Sequence, residues 1–243
     1  MILSRGSTKT EDKAVENILE NKMDKILFDV KNKAERIHQW DYHKTYLTAC
    51  TNAVAVQGLW LEFGVYRGRT ITAIANNTTN LVYGFDSFEG LPEHWDNENP
   101  LGVYSLNGEK PSGAICGSND DNPGMYDSSP TVTVQPWSKN IRLVKGLFQD
   151  TLEDFLDLHT DPIAFMNIDS DLYSSAKYVL ELTKDRFQNG TILTFDELCD
   201  YPTYREHEIK AFAEFLLETK YDYECLYHQD LDTYNQACFK IIK

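Results

Sequence analysis

A chain of 243 residues with 42% hydrophobic content has room for one α/β domain with a full core, and not for two large ones. Its 23 basic residues stand against 38 acidic ones, and a net charge of −15 repels phosphate backbones. Nucleic-acid binding is excluded without a local basic patch. The densest basic stretch, Lys22 to Arg36, is interleaved with Asp24, Asp29 and Glu35, as on a solvated helix face.

From the N-terminal side, residues 9–37 carry Val15, Ile18, Leu19, Met23, Ile26, Leu27 and Val30 at helical spacing, which predicts one or two amphipathic helices. A further helix is expected over 41–56. Short apolar runs then alternate with helical stretches. Strands are expected at 59–63, 81–85, 141–144, 163–168 and 191–195, and helices beginning near Thr70, Thr151, Ser174 and Glu206. The Ser174 helix should present Ala176, Val179, Leu180, Thr183 and Phe187 on one face. Such alternation means a parallel sheet covered on both sides. Two β-prone runs, 223–227 and 236–242, follow with only a polar turn between them, which predicts an antiparallel hairpin.

The expected organisation is an N-terminal helical segment, 1–57, serving as a cap or a homodimer face, and an α/β domain over 58–243. Within the latter, residues 92–138 hold most of the prolines and glycines, too long a loop for a plain connection. Trp95, Tyr104, Tyr126 and Trp137 in it predict a lid that packs on the body, and its centre, about 112–129, is equally compatible with disorder. Five widely spaced cysteines (Cys50, Cys116, Cys199, Cys225, Cys238), with no Cys-x-x-Cys, fit a reduced intracellular chain. The polar stretch 1–13 lacks a signal-peptide core, and no run approaches the roughly 18 apolar residues of a membrane span. The expected location is the cytoplasm, with no membrane partner.

Two motifs point to chemistry. Glu62-Phe-Gly64-Val-Tyr66-Arg-Gly68 ends a strand in a glycine turn, and Tyr83-Gly-Phe-Asp86 ends the next strand in a carboxylate, 18 residues after the last glycine. Glycines at such a turn let a ligand approach the backbone, and the acidic tip grips ribose hydroxyls. The spacing lacks the third glycine that seats a pyrophosphate. Glu62 would repel a pyrophosphate and accept a hydrogen bond from an amino-acid ammonium, so a sulfonium cofactor fits better than a nicotinamide one. Farther on, Asn167-Ile-Asp169-Ser-Asp171 and Phe195-Asp196-Glu197 lie at the C-terminal ends of neighbouring predicted strands. Asp169, Asp196 and Glu197 are three hard oxygen donors suited to Mg²⁺, with Asp171 beside them as a base. The alternative for both turns is helix capping, for which Asp is favoured.

A mostly parallel sheet closed by a terminal hairpin is the outline of the Rossmann-like class I methyltransferase fold: seven strands, the last two an antiparallel hairpin, here with extra N-terminal helices. Six motifs in order resemble those of the macrocin-type sugar O-methyltransferases. They are Glu62 to Gly68, Gly84-Phe-Asp-Ser-Phe-Glu-Gly-Leu-Pro92, Val144-Lys-Gly-Leu-Phe-Gln-Asp-Thr-Leu152, Ile168-Asp-Ser-Asp-Leu-Tyr-Ser-Ser175, Phe195-Asp-Glu-Leu198 and His207-Glu-Ile-Lys-Ala-Phe212.

The resemblance implies S-adenosylmethionine as cofactor, Mg²⁺, and a small-molecule hydroxyl acceptor, a sugar or similar polyol. It assigns Glu62, Gly64, Tyr66, Gly68, Thr70, Asp86, Ser87, Gly146, Phe148 and Asp169 to the cofactor. Asp169, Asp196 and Glu197 take the metal, and Asp171 is the proposed base. Two departures stand out. The second metal pair is commonly Asp-Asp in the antibiotic-tailoring members and is Asp196-Glu197 here, where the longer Glu moves the metal or removes a ligand. The long 91–138 segment falls where the acceptor pocket is shaped, so the acceptor does not carry over.

Two rivals remain: a nicotinamide-dependent oxidoreductase, against which the missing glycine and the hairpin count, and a non-catalytic binding module, against which the retained carboxylates count. His207 is expected to make a hydrogen bond at a helix start, and His94 and Trp95 ordinary lid contacts. Cys199 has no activating neighbour.

Overall fold

The computed structural model describes residues 9–37, 44–116, 133–230 and 235–243. Expectations placed on 1–8, on 41–43 and on 117–132, Tyr126 among them, lie outside the described residues. In chain order the elements are α1 (Lys9–Lys33), β1 (Glu35–Arg36), α2 (Lys44–Asn52), β2 (Leu59–Phe63), α3 (Arg69–Asn76), β3 (Val82–Asp86), β4 (Gly113–Cys116), β5 (Thr133–Pro136), β6 (Ile141–Lys145), α4 (Phe148–Leu158), β7 (Ile163–Ile168), α5 (Tyr173–Thr183), β8 (Phe187–Cys199), α6 (Glu208–Thr219), β9 (Asp222–Asp230) and β10 (Asn235–Ile242).

Eight strands form one sheet in the order β1-β9-β10-β8-β7-β2-β3-β6, while β4 and β5 pair separately as a hairpin within the long insertion. The run from β8 to β6 is parallel, and β10 lies antiparallel between β8 and β9. This is the predicted seven-stranded arrangement plus one edge strand. Glu35 and Arg36 pair parallel with Tyr227 and His228, and an Arg36–Asp230 ion pair secures the edge. The predicted helical stretch 9–37 is thus one helix followed by a two-residue strand.

Side chains alternate between the two faces of the sheet, as the two-residue period of a strand requires. Leu59, Leu61 and Phe63 of β2 join Met23, Ile26 and Val30 of α1 and the apolar faces of α4, α5 and α6 in one core. Trp60 turns the other way and packs with Tyr46, Leu47 and Cys50 of α2 and Ile71 and Ile74 of α3. The N-terminal helices therefore contribute Met23, Ile26 and Val30 of α1 and Tyr46, Leu47 and Cys50 of α2 to the same two cores as the rest of the chain, whereas Val15 and Ile18, expected on the same stripe, stay exposed. Phe187, expected on the α5 face, instead opens β8 after a short 3₁₀ turn at Lys184–Arg186, and is buried in the first core all the same.

The chain leaves β2 toward β3 on one side and returns through β7 on the other. That reversal is the point where open α/β sheets bind ligands, beyond the carboxyl ends of the strands.

Candidate active site

A cleft of about 700 Å³ opens at this reversal. Its floor is the ends of β2, β3, β7 and β8, which deliver Gly64, Asp86, Asp169 and Asp196-Glu197 to its wall. Of the residues expected to act, Gly64, Tyr66, Gly68, Thr70, Asp86, Ser87, Gly146, Phe148, Asp169, Asp171, Asp196 and Glu197 all line it.

The glycine turn is held by Asp86. Its Oδ2 accepts the backbone N–H groups of Val65 (2.8 Å) and Tyr66 (2.7 Å), and its Oδ1 accepts that of Phe88 (2.6 Å). These bonds keep Tyr66 and Phe88 at φ of 44° and 58°, in the left-handed region that only a well-determined turn imposes on bulky residues. Gly64 is required by its neighbour as much as by its φ of 92°: a Cβ there would stand 1.6 Å from the carbonyl oxygen of Asp169. The β2 turn and the first acid loop are thus in backbone contact, and the Asp169 N–H donates to Phe63 O at 2.9 Å.

Glu62, expected to meet an ammonium, lies under the turn, fully buried and absent from the cleft wall. It ends a polar row that crosses three strands: the Thr194 hydroxyl donates to Asn167 Oδ1 (2.6 Å), and Asn167 Nδ2 donates to Glu62 Oε1 (3.1 Å). Burial pushes the Glu62 carboxyl up to about 8 from 4.5, against the opposing hydrogen bonds of Thr70 and Asn167. A group whose folded pKa is raised stabilises fully below its unfolded value, and that stability is lost as pH climbs to the folded one. Across the window from 4.5 to about 8, Glu62 therefore lowers stability by about 1.4 kcal/mol per pH unit. Glu62→Gln removes that slope, so between pH 5 and 8 the variant gains on the wild type in denaturant midpoint. Parallel curves would show that Glu62 is already ionised at neutral pH.

The acid centre is compact. Asp169, Asp196 and Glu197 each bring a carboxylate oxygen within 4.8 Å of the others. Burial first, then the charge of Asp196 and of the other acids, holds Asp169 and Glu197 well above the carboxylate range. Asp171 is 7% exposed, and burial, Asp196, Asp86 and Asp96 raise it to about 7. It sits at φ 60°, in the left-handed region. The capping alternative is not what the side chains do: α5 and α6 start at Leu172 and His207, and neither start has a side-chain cap.

The residues fit a divalent cation. Glu197 Oε2 is buried without a hydrogen-bond partner among the described residues. The donors are all hard oxygens, and an octahedral ion at ~2.1 Å spaces its ligands roughly 3–4 Å apart, within reach of this set. The longer Glu197 keeps its place beside Asp169 and Asp196.

Several participants were not among the residues singled out for the site. Trp95, Asp96, Asn99 and Tyr104 of the insertion line the cleft, with Ser170, Ser175 and Tyr201. Trp95 packs edge-on against Tyr201 (ring centroids 5.5 Å apart), Tyr104 against Tyr66 (5.5 Å), and Trp137 covers Gly68. The aromatic signal in the insertion was the clue to this packing. His207 stands at the α6 start, where its carbonyl accepts the N–H groups of Lys210 and Ala211. Its ring does not cap the helix and lies near Trp95 and Tyr201, with Nδ1 buried and without a hydrogen-bond partner among the described residues. Burial pushes the Cys199 thiol up to about 12, which keeps it unreactive.

Residues 61–198 match the family described as a methyltransferase domain. The chain belongs to that family. Its sheet, with the antiparallel hairpin, is the Rossmann-like methyltransferase fold. Solved structures agree over nearly the whole chain. The calicheamicin methyltransferase CalS11 is 19% identical at a TM-score of 0.56, covering 97% of this chain and 94% of its own. The O-methyltransferase NovP is 17% identical at 0.55, covering 96% and 99%. At these identities the likeness is one of fold. No curated protein sequence matches the chain. No helix among the described residues is long and apolar enough to cross a membrane.

Proposed function

We propose that this methyltransferase domain moves a methyl group from S-adenosylmethionine to a hydroxyl of a small polyhydroxy acceptor, with Mg²⁺ at the acid centre, in the manner of the macrocin-type sugar O-methyltransferases. The observation that carries this reading is the three-carboxylate cluster opening on the same cleft as the glycine turn and Asp86. The sugar class draws support from CalS11, described as a TDP-rhamnose 3'-O-methyltransferase.

Asp86 and Ser87 would hold the ribose, the turn from Gly64 to Gly68 would receive the cofactor, and Gly146 and Phe148 would bound it from the β6 and α4 side. Glu62 acts from below, holding Asn167 and Thr70 in place. The cofactor supplies an electrophilic methyl group on a sulfonium that leaves as a neutral thioether. Asp169, Asp196 and Glu197 would hold Mg²⁺, whose positive charge would lower an acceptor hydroxyl's pKa. Asp171 takes the hydroxyl proton as the oxygen attacks. Trp95, Tyr104 and Tyr201 close the acceptor side and keep water from the reacting groups.

The test is calorimetric titration of the whole protein with S-adenosylhomocysteine. Micromolar binding supports the reading, and turnover of sugar acceptors with Mg²⁺ completes it. No heat at several temperatures removes the cofactor assignment, and binding without transfer to any acceptor favours a non-catalytic module.

A further inference from the structure

One buried carboxylate outside both acid loops touches the two of them. Glu208 opens α6 and is fully buried. Its Oε1 accepts the backbone N–H of Ser170 at 3.2 Å, from a residue 38 positions away. The Glu197 backbone amide faces the same carboxyl and favours its charged form, while Oε2 is buried without a hydrogen-bond partner among the described residues. Ser170 lies between Asp169 and Asp171, and Glu197 follows Asp196, so this one carboxyl lies against both segments that carry the acid centre.

The first loop needs such a holder. Asp169 is anchored to β2 through Phe63, but the chain then turns sharply. Leu172 N–H reaches back to Ser170 O at 2.6 Å, and Asp171 is in the left-handed region. A non-glycine residue keeps that conformation only where its surroundings over-determine it. Repulsion among Asp169, Asp171, Asp196 and Glu197, to which the Glu208 carboxyl adds, works to spread the loops apart, and the Ser170 hydrogen bond to Glu208 on α6 opposes the spreading.

We propose that Glu208 is the positioning residue of the acid centre, setting the separation of Asp169 from Asp196 and Glu197 and thereby the centre's affinity for a divalent cation. It is not one of the three carboxylates whose oxygens converge. Its work is done as a hydrogen-bond acceptor for the Ser170 amide, with the Glu197 amide facing the same carboxyl. Partners that orient the ligands of a metal site typically govern about 10–100-fold of its affinity.

The inference rests on the reading of the triad as a cation site, and one experiment separates the two. The whole protein is titrated with Mn²⁺, free ion being followed by electron paramagnetic resonance, in the wild type and in Glu208→Gln, Glu208→Asp and Glu208→Leu. Melting curves establish that each variant is folded. Glu208→Gln keeps an acceptor oxygen at the same reach and should bind within about 3-fold of wild type. Glu208→Asp, which folds with a carboxyl drawn back by one methylene, and Glu208→Leu, which has none, should bind about 10–100-fold more weakly.

No Mn²⁺ binding by the wild type overturns the cation site itself. Binding by the wild type with equal affinity in Glu208→Asp and Glu208→Leu overturns only the positioning role, and a lowered melting temperature with unchanged affinity does the same. A loss in Glu208→Gln as large as in Glu208→Leu makes Glu208 a ligand and overturns the proposal from the other side. If Glu208→Leu does not fold, Glu208→Asp against Glu208→Gln decides.

Discussion

Replacing Asp196 by Asn abolishes methyl transfer and raises the melting temperature of the metal-free protein. Both effects have one origin. Asp196 is a cause of the upward shifts of Asp169, Asp171 and Glu197, so its charge is what the buried acid cluster can least accommodate without a cation. An Asn side chain keeps an oxygen for the Gln236 amide, which donates to Asp196 Oδ1, so that buried donor is not orphaned. Relief of repulsion should appear as about 2–4 °C for each kcal/mol recovered. Turnover should fall by about 10³-fold or more, equivalent to roughly 4 kcal/mol of transition-state stabilisation. Binding of S-adenosylhomocysteine should hold within about 3-fold. Melting scans, calorimetry and an acceptor assay read the three quantities separately. Turnover that persists in the variant, in the presence of a chelator, would sink the metal-assisted mechanism.

Asp86→Ala should remove cofactor binding altogether, a loss of at least about 100-fold or ~3 kcal/mol. The side chain does two things at once: it lines the cleft, and it accepts three backbone N–H groups. Hydrogen bonds to a charged acceptor are each worth about 1.5–3 kcal/mol, so the turn at Val65 and Tyr66 loosens when they go. Asp86→Asn, which leaves one acceptor oxygen, should lose less. Calorimetry with S-adenosylhomocysteine orders the three proteins. An Ala variant that binds like the wild type would detach Asp86 from the cofactor.

The sequence made the floor of the site visible because that floor is built from its most regular parts. β2 and β7 are buried on both faces, so they appear as apolar runs interrupted only by Glu62 and Asn167, and their ends are marked by a glycine and an aspartate that open the cleft. The acid triad was visible for the same reason, since Asp169 follows β7 directly and Asp196 follows the apolar run 191–195 within β8. Glu62 was harder. It precedes Phe63, which faces one core, so the two-residue period turns it toward Thr70 and Asn167, away from the cleft, and only the burial of both faces reveals what that costs the carboxyl. Glu35 and Arg36 carry no apolar signature at all; an edge pairing with β9 makes them a strand. Glu208 and Gln236 were out of reach because their partners, Ser170 and Asp196, stand 38 and 40 residues away.

That last separation has a bearing on biosynthesis. Asp196 lies in β8, while Gln236, the side chain that fixes one of its oxygens, lies in β10, which inserts between β8 and the already emerged β9. A nascent chain that has exposed every acid of the centre still lacks the strand that braces it, and during that interval β8, which carries Asp196 and Glu197, is an unfinished sheet edge. Messages cut short before codon 236 should therefore yield chains that carry the whole motif set yet are cleared by proteolysis, their quality control depending on a strand that holds none of the three metal-site carboxylates.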